Sequence, residues 1–263
     1  MRKFLPICPL VFLLAISVCG QRLENFEKAK TVAANSPVAN YSWKNRGPAP
    51  IGYIKGLAVS FARSYYELMH GQKTAIEPIT QPLGPENTDA LTHYGLDAAT
   101  PADRLVAIYT LTMGLGMRES SGNTTEGWDT SKERTGITNT EYNAEAGLFQ
   151  VSWDSRDKSP WLLRLYAQYQ AAPERCDAAT FMERVTDKKI AETGDGDGAK
   201  FQKFTKQCPA FATEYALIML RVRYRHFGPI IRKDAEYNPD AEKMFRDIAA
   251  LVQSPTVKKA AGK

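Results

Sequence analysis

The residues of this chain best suited to chemistry stand where its longest apolar run stops. Leu105, Val106, Ile108, Tyr109, Leu111, Met113, Leu115 and Met117 leave almost no polar face, and the run ends at Arg118-Glu119-Ser120-Ser121-Gly122. A carboxyl group among apolar side chains, at the negative end of a helix dipole, is disfavoured in its charged form. Glu119 is therefore expected to keep its proton to higher pH than a solvated glutamate, as a general acid donating to a leaving oxygen must. Taken alone, the position is explained more simply by a solvated or salt-bridged glutamate at a helix end. Its neighbours shift the weight.

Ser120 and Ser121 offer short hydroxyls, and Gly122 lets backbone come close to a ligand. A polar segment follows, and apolar character returns at Ala146-Gly147-Leu148-Phe149-Gln150, with Gly147 lying 28 residues after Glu119. The Gln150 amide is of a kind that hydrogen-bonds an N-acetyl group or a hydroxyl. A hydrolytic glycosidase usually needs a second carboxylate. Asp129 and Glu126 are the nearest candidates, with Glu133, Glu141 and Glu145 behind them, and taken alone each is more simply read as a solvated side chain. Trp128, Tyr142 and Trp153 could stack on sugar faces or serve as ordinary rim and core aromatics.

The Glu-Ser-Ser-Gly turn after a buried helix, followed by Gly-Leu-Phe-Gln, resembles the lysozyme-like superfamily that includes goose-type lysozymes and soluble lytic transglycosylases. The resemblance is close over about residues 100–155; later helices agree only in type. It implies a mainly α, α+β lysozyme-like fold in which Glu119 is the acid. Ser120, Ser121, Gly147, Leu148, Phe149 and Gln150 would then surround the cleaved bond. His226, in Arg225-His226-Phe227-Gly228-Pro229, would add a cleft wall unless it simply caps a helix. The implied reaction is cleavage of the β-1,4 bond between N-acetylmuramic acid and N-acetylglucosamine in peptidoglycan by hydrolysis, with peptidoglycan strands as partner and no cofactor. One alternative is lytic transglycosylation to 1,6-anhydro products; another is a non-catalytic wall-binding module. From Glu119 to Glu145 acids outnumber bases by four, which would suit a glycan carrying deacetylated glucosamine.

The elements that must position these residues are helices. Apolar spacing predicts helices over about Tyr53–Gly71, Pro101–Arg118, Ser159–Ala172, Ala212–Phe227 and Pro239–Val252, with Gly228-Pro229 ending the fourth. Residues 72–101 read as an extended loop, and short strands are expected within 123–145. Residues 51–253 form one catalytic domain, 21–50 a linker or loose arm, and 254–263 a flexible tail.

Residues 1–20 read as an export signal with a short apolar stretch. Either ordinary cleavage or lipidation at Cys19 fits, which places the protein in the periplasm, outside the cell, or on a membrane by a lipid anchor. No run is long enough for a transmembrane span. Loss of Arg2 and Lys3 lowers the net charge from +5 to +3. No dense basic stripe points to nucleic acid. Cys176 and Cys208 remain as an even pair in an exported chain, hence an expected disulfide. No zinc spacing occurs, and Asp195-Gly196-Asp197-Gly198 lacks the later ligands of a calcium loop, so no metal is expected. A monomer is expected.

Overall fold

In the computed structural model the described residues are 23–72, 76–81, 83, 88–96, 98–127, 138–185 and 192–254. Among these the chain is mainly helical, with one two-stranded sheet. The expected signal, Cys19, the tail after residue 254, and the loop residues Trp128, Asp129 and Glu133 lie outside them.

Helix α5, Pro101–Ser120, is the axis of the molecule, and every residue from Leu105 to Met117 is buried. Its start is encoded locally: the Thr100 hydroxyl accepts from the Asp103 amide at 3.1 Å, and Pro101 occupies the first turn. Two threonines that burial would otherwise leave unsatisfied donate to carbonyls one turn back, Thr110 to Val106 at 2.9 Å and Thr112 to Ile108 at 2.7 Å. Around α5 pack α2 (Ile51–Met69), α9 (Pro209–Val222) and α11 (Pro239–Gln253). The buried Asn238 side chain caps α11 by accepting from the amides of Asp240 and Ala241. α6 (Pro160–Ala171) starts at the expected Ser-Pro pair and packs on α9.

Three expectations are corrected. Residues 23–50 are not a loose arm. Residues 23–35 form helix α1, and a hairpin of β1 (Ser42–Trp43) and β2 (Gly47–Pro48) follows. Ala29, Ala33, Val38 and Trp43 bury themselves in the common core, so the arm is held by the hydrophobic effect. The stretch 72–101 contains α3 (Ile76–Thr80) and α4 (Ala90–Tyr94), the latter capped by Asp89. The fourth long helix ends at Val222. Arg223 leaves helical geometry, and Gly228-Pro229 opens the short α10 (Gly228–Ile231) instead of closing α9. Of the stretch 123–145, where short strands are expected, residues 128–137 lie outside the described residues; the rest holds no strand, and next to it Ala146 and Val151 form an isolated antiparallel bridge.

Cys176 and Cys208 are disulfide-bonded, with their Cα atoms 4.4 Å apart. The bridge closes an excursion that carries α7 (Ala178–Phe181) and α8 (Asp197–Gln207). Among the described residues no helix is long and apolar enough to cross a membrane.

Candidate active site

Glu119 lies in the last turn of α5 and is half-buried. Beyond it the chain reverses sharply through two consecutive left-handed residues, Ser121 (φ 56°) and Gly122 (φ 75°). Their amides close the helix on its own last carbonyls, Ser121 to Met117 at 3.1 Å and Gly122 to Gly116 at 3.2 Å. A side chain at Gly122 would come within 2.9 Å of both Pro50 and Tyr53, so the reversal needs glycine for space as well as for conformation.

The Gly147–Gln150 turn docks against this end of the helix. Ser120 is buried, and its hydroxyl reaches the Leu148 carbonyl at 2.8 Å and the Gly116 carbonyl at 3.1 Å. The turn is closed by paired amide bonds between Ala146 and Val151, with Gly147 (φ 74°) and Gln150 (φ 47°) both left-handed. Leu148 and Phe149 are wholly buried, and Phe149 lies where α5 presents Gly116 and not a bulkier residue. The structure therefore brings the Glu119–Gly122 and Gly147–Gln150 segments together as one unit. Leu148 and Phe149 serve it from below, as core.

Gln150 has a different position from that expected of a ligand-binding amide. Its side chain is buried, and its amide nitrogen donates to the carbonyls of Gly127 and Gly147, both at 3.0 Å. The Gly147 amide donates to the Glu126 carbonyl at 2.9 Å. These bonds zip residues 126–127 onto the turn, so Glu126 is fixed beside it by its own backbone. The half-buried Glu126 carboxylate accepts from the Asn123 amide at 3.4 Å. Tyr142 is exposed, and its carbonyl accepts from the Asp154 amide at 3.0 Å. His226 occupies a short 3-10 turn after α9, with its ring edge-on to Phe227.

Three residues that sequence reasoning did not single out lie on this unit or beside it along the chain. Arg46, at the hairpin tip, donates to the Arg118 carbonyl at 2.5 Å and toward the Ser121 hydroxyl at 3.4 Å. It straps the helix end on both sides of Glu119 and adds positive charge where the helix dipole is negative. Lys206, on α8, has a buried ammonium 3.7 Å from Glu192. Burial pushes its pKa down, against the opposing pull of the Glu192 and Glu126 carboxylates. Arg156 lies three residues beyond Trp153, in the turn that follows Gln150. Nothing local in the sequence marks Arg46 or Lys206, because each is defined by a distant partner.

Glu141 is spent within the protein. Gly194, Gly196 and Gly198 wrap around it, and the Gly196 amide donates to its carboxylate. A methyl group at any of the three would collide with Glu141. The alternating Gly-Asp repeat that resembles half a calcium loop is thus a close-approach turn gripping the far end of the 123–145 segment. Among the described residues no cluster of metal-ligating side chains occurs.

Gly198→Ala provides a test of this grip. Alanine in a helix is normally worth about 1 kcal/mol over glycine. At Gly198 the new methyl would overlap the Glu141 backbone carbonyl, which is held and cannot rotate away. Overpacking of this kind costs about 1–3 kcal/mol, so a net loss is expected. Gly127→Ala, where a methyl would meet nothing within 4 Å, is the matched control. Urea unfolding of both variants measures the difference; a Gly198→Ala protein as stable as the control would count against the close-approach role.

Compared with protein-family models, with curated proteins and with solved structures, the chain gives no match.

Proposed function

We propose that this chain is an exported enzyme of lysozyme-like fold that cleaves the β-1,4 bond between N-acetylmuramic acid and N-acetylglucosamine in peptidoglycan. One observation carries the reading. The helix-terminal Glu119-Ser120-Ser121-Gly122 and the Gly147–Gln150 turn, remote in sequence, are joined by the bond from the Ser120 hydroxyl to the Leu148 carbonyl. A half-buried carboxyl on a rigid helix end, faced by a rigid turn, is what protonation of a glycosidic oxygen calls for.

In this mechanism Glu119 donates its proton to the departing sugar oxygen as the anomeric carbon gains positive character. Glu126, tethered beside the turn by its carbonyl, is the carboxylate we assign to the second role of activating water or stabilising the cation. Asp129, the other candidate, lies outside the described residues. Arg46 holds the helix end and Ser120 joins it to the turn, so little reorganisation is left for the chemical step.

Mass spectrometry of fragments released from purified peptidoglycan tests the proposal. Hydrolysis leaves a reducing sugar. Lytic transglycosylation leaves a 1,6-anhydro end lighter by one water, which would retain Glu119 and dismiss Glu126. Bound but uncleaved strands would leave the wall-binding module in its place.

A further inference from the structure

Asn123 stands four residues beyond Glu119, and both its backbone amide and its side chain are engaged. The backbone amide donates to the Ser120 carbonyl at 3.0 Å, which folds the chain back directly after the helix-terminal reversal. The side-chain oxygen accepts twice from Thr125, from its amide and from its hydroxyl, both at 3.1 Å. An asparagine whose oxygen faces two donors has its amide nitrogen turned to the other side. There the nitrogen donates to the Glu126 carboxylate at 3.4 Å. Thr124 and Thr125 are buried, so the segment between Asn123 and Glu126 is packed into the protein.

Glu126 is restrained from other directions as well. Its carbonyl accepts from the Gly147 amide at 2.9 Å, and the buried Lys206 ammonium on α8 attracts its carboxylate. Asn123 differs from these two in what it connects. Its amide is tied to the helix end that carries Glu119, and its side chain to the Glu126 carboxylate. The spacing of the two carboxyl groups therefore depends on it. In a glycosidase that spacing decides the second carboxylate's part: a wide gap admits the attacking water, and a narrow one puts the carboxylate against the anomeric carbon. The residue type matters too. An aspartate could make the same turn with Thr125, but it would aim a negative oxygen at Glu126. Only the amide offers an acceptor to one neighbour and a donor to the other.

We infer that Asn123 is a positioning residue of the proposed glycan-cleaving reaction, fixing the Glu126 carboxylate in relation to Glu119. The inference rests on that reaction and on the assignment of Glu126 as its second carboxylate. Asn123 acts through Glu126 and needs no contact with the sugar.

The test is a double-mutant cycle on peptidoglycan cleavage, with the ends of the released fragments identified by mass spectrometry. Asn123→Asp keeps the turn and replaces the donor by a like charge. It is expected to lower kcat about 10²-fold, the cost of a misplaced catalytic group, with KM little changed. Glu126→Gln alone should cost about 10²–10⁴-fold, its residual rate being read at high enzyme concentration. In the Glu126→Gln background Asn123→Asp should cost nothing further, because no carboxylate is left to misplace. A folding defect would instead lower the rate in both backgrounds. An equal loss in both, or no loss in the wild-type background, would overturn the inference. If the wild-type protein releases no fragments, it is the glycan-cleaving function that has failed. If fragments are released but Glu126→Gln leaves the rate unchanged, or the ends are 1,6-anhydro, the assignment of Glu126 has failed and the role of Asn123 falls with it.

Discussion

Glu119→Gln should lower the rate of glycan cleavage by about 10²–10⁴-fold, the range that general-acid catalysis supplies. The substitution keeps side-chain shape and removes only the proton to be transferred. Glu119 is half-buried in the final turn of α5, and that turn is held by bonds that do not involve its carboxyl. The variant is expected to bind intact wall material, with its unfolding midpoint measured as the check on folding, while fragment release nearly ceases. The measurement is initial rate of soluble-fragment release at matched protein concentration, with wall co-sedimentation alongside. A variant that releases fragments at the wild-type rate would remove Glu119 from the chemistry. A variant that no longer binds would mean that its carboxyl holds substrate and does not act on it.

The second large effect concerns stability. Arg175 places its guanidinium 3.1 Å from Glu67 and 3.9 Å from Glu214, two carboxylates that are almost completely buried. Its own place is set by the neighbouring Cys176–Cys208 bridge and by its carbonyl, which accepts from Arg63 at 2.8 Å. Burial works against the guanidinium charge, yet the facing Glu214 and Glu67 hold its pKa above the ordinary range. Arg175→Met keeps the volume and removes the cation that both buried carboxylates face. Breaking a buried pair in this way costs about 3–5 kcal/mol, and a midpoint drop of roughly 10 °C is expected for a chain of this size. A loss under about 1 kcal/mol, the worth of a surface pair, would show that the cluster is effectively solvated.

The same cluster has a pH signature whose sign is fixed. Burial pushes the Glu214 pKa up, with Arg175 pulling against it. A carboxyl with a raised folded pKa binds its proton more tightly folded than unfolded. Its contribution to stability is full below the unfolded value, about 4.3, and is lost as pH rises from there through the folded value. Glu214→Gln should abolish that part of the decline and cost little at neutral pH, since Glu67 remains the closer partner of Arg175. Unfolding free energies across this window, for wild type and variant, give the comparison.

Much of the frame was legible in residue order. A helix apolar on all sides has to be central, so α5 and its stop close to Glu119 follow from the residue pattern, with Pro101 and Gly122 marking its ends. Ser159-Pro160, Asn238-Pro239 and the Cys176–Cys208 pair were equally readable, because caps, proline φ and cysteine parity are local or countable properties. What residue order could not tell was which polar groups face inward. The Gln150 amide turned to Gly127 and Gly147, Glu141 into a ring of glycines, and Arg156 onto Trp153. Residues 23–50 looked unstructured because their polar composition hid Ala29, Ala33, Val38 and Trp43, whose burial depends on partners elsewhere in the core. Backbone preference acts between near neighbours, whereas the direction of a polar side chain depends on which donors, acceptors and charges folding brings beside it, and for Arg46, Glu141, Arg175 and Lys206 that was decided by tertiary packing alone.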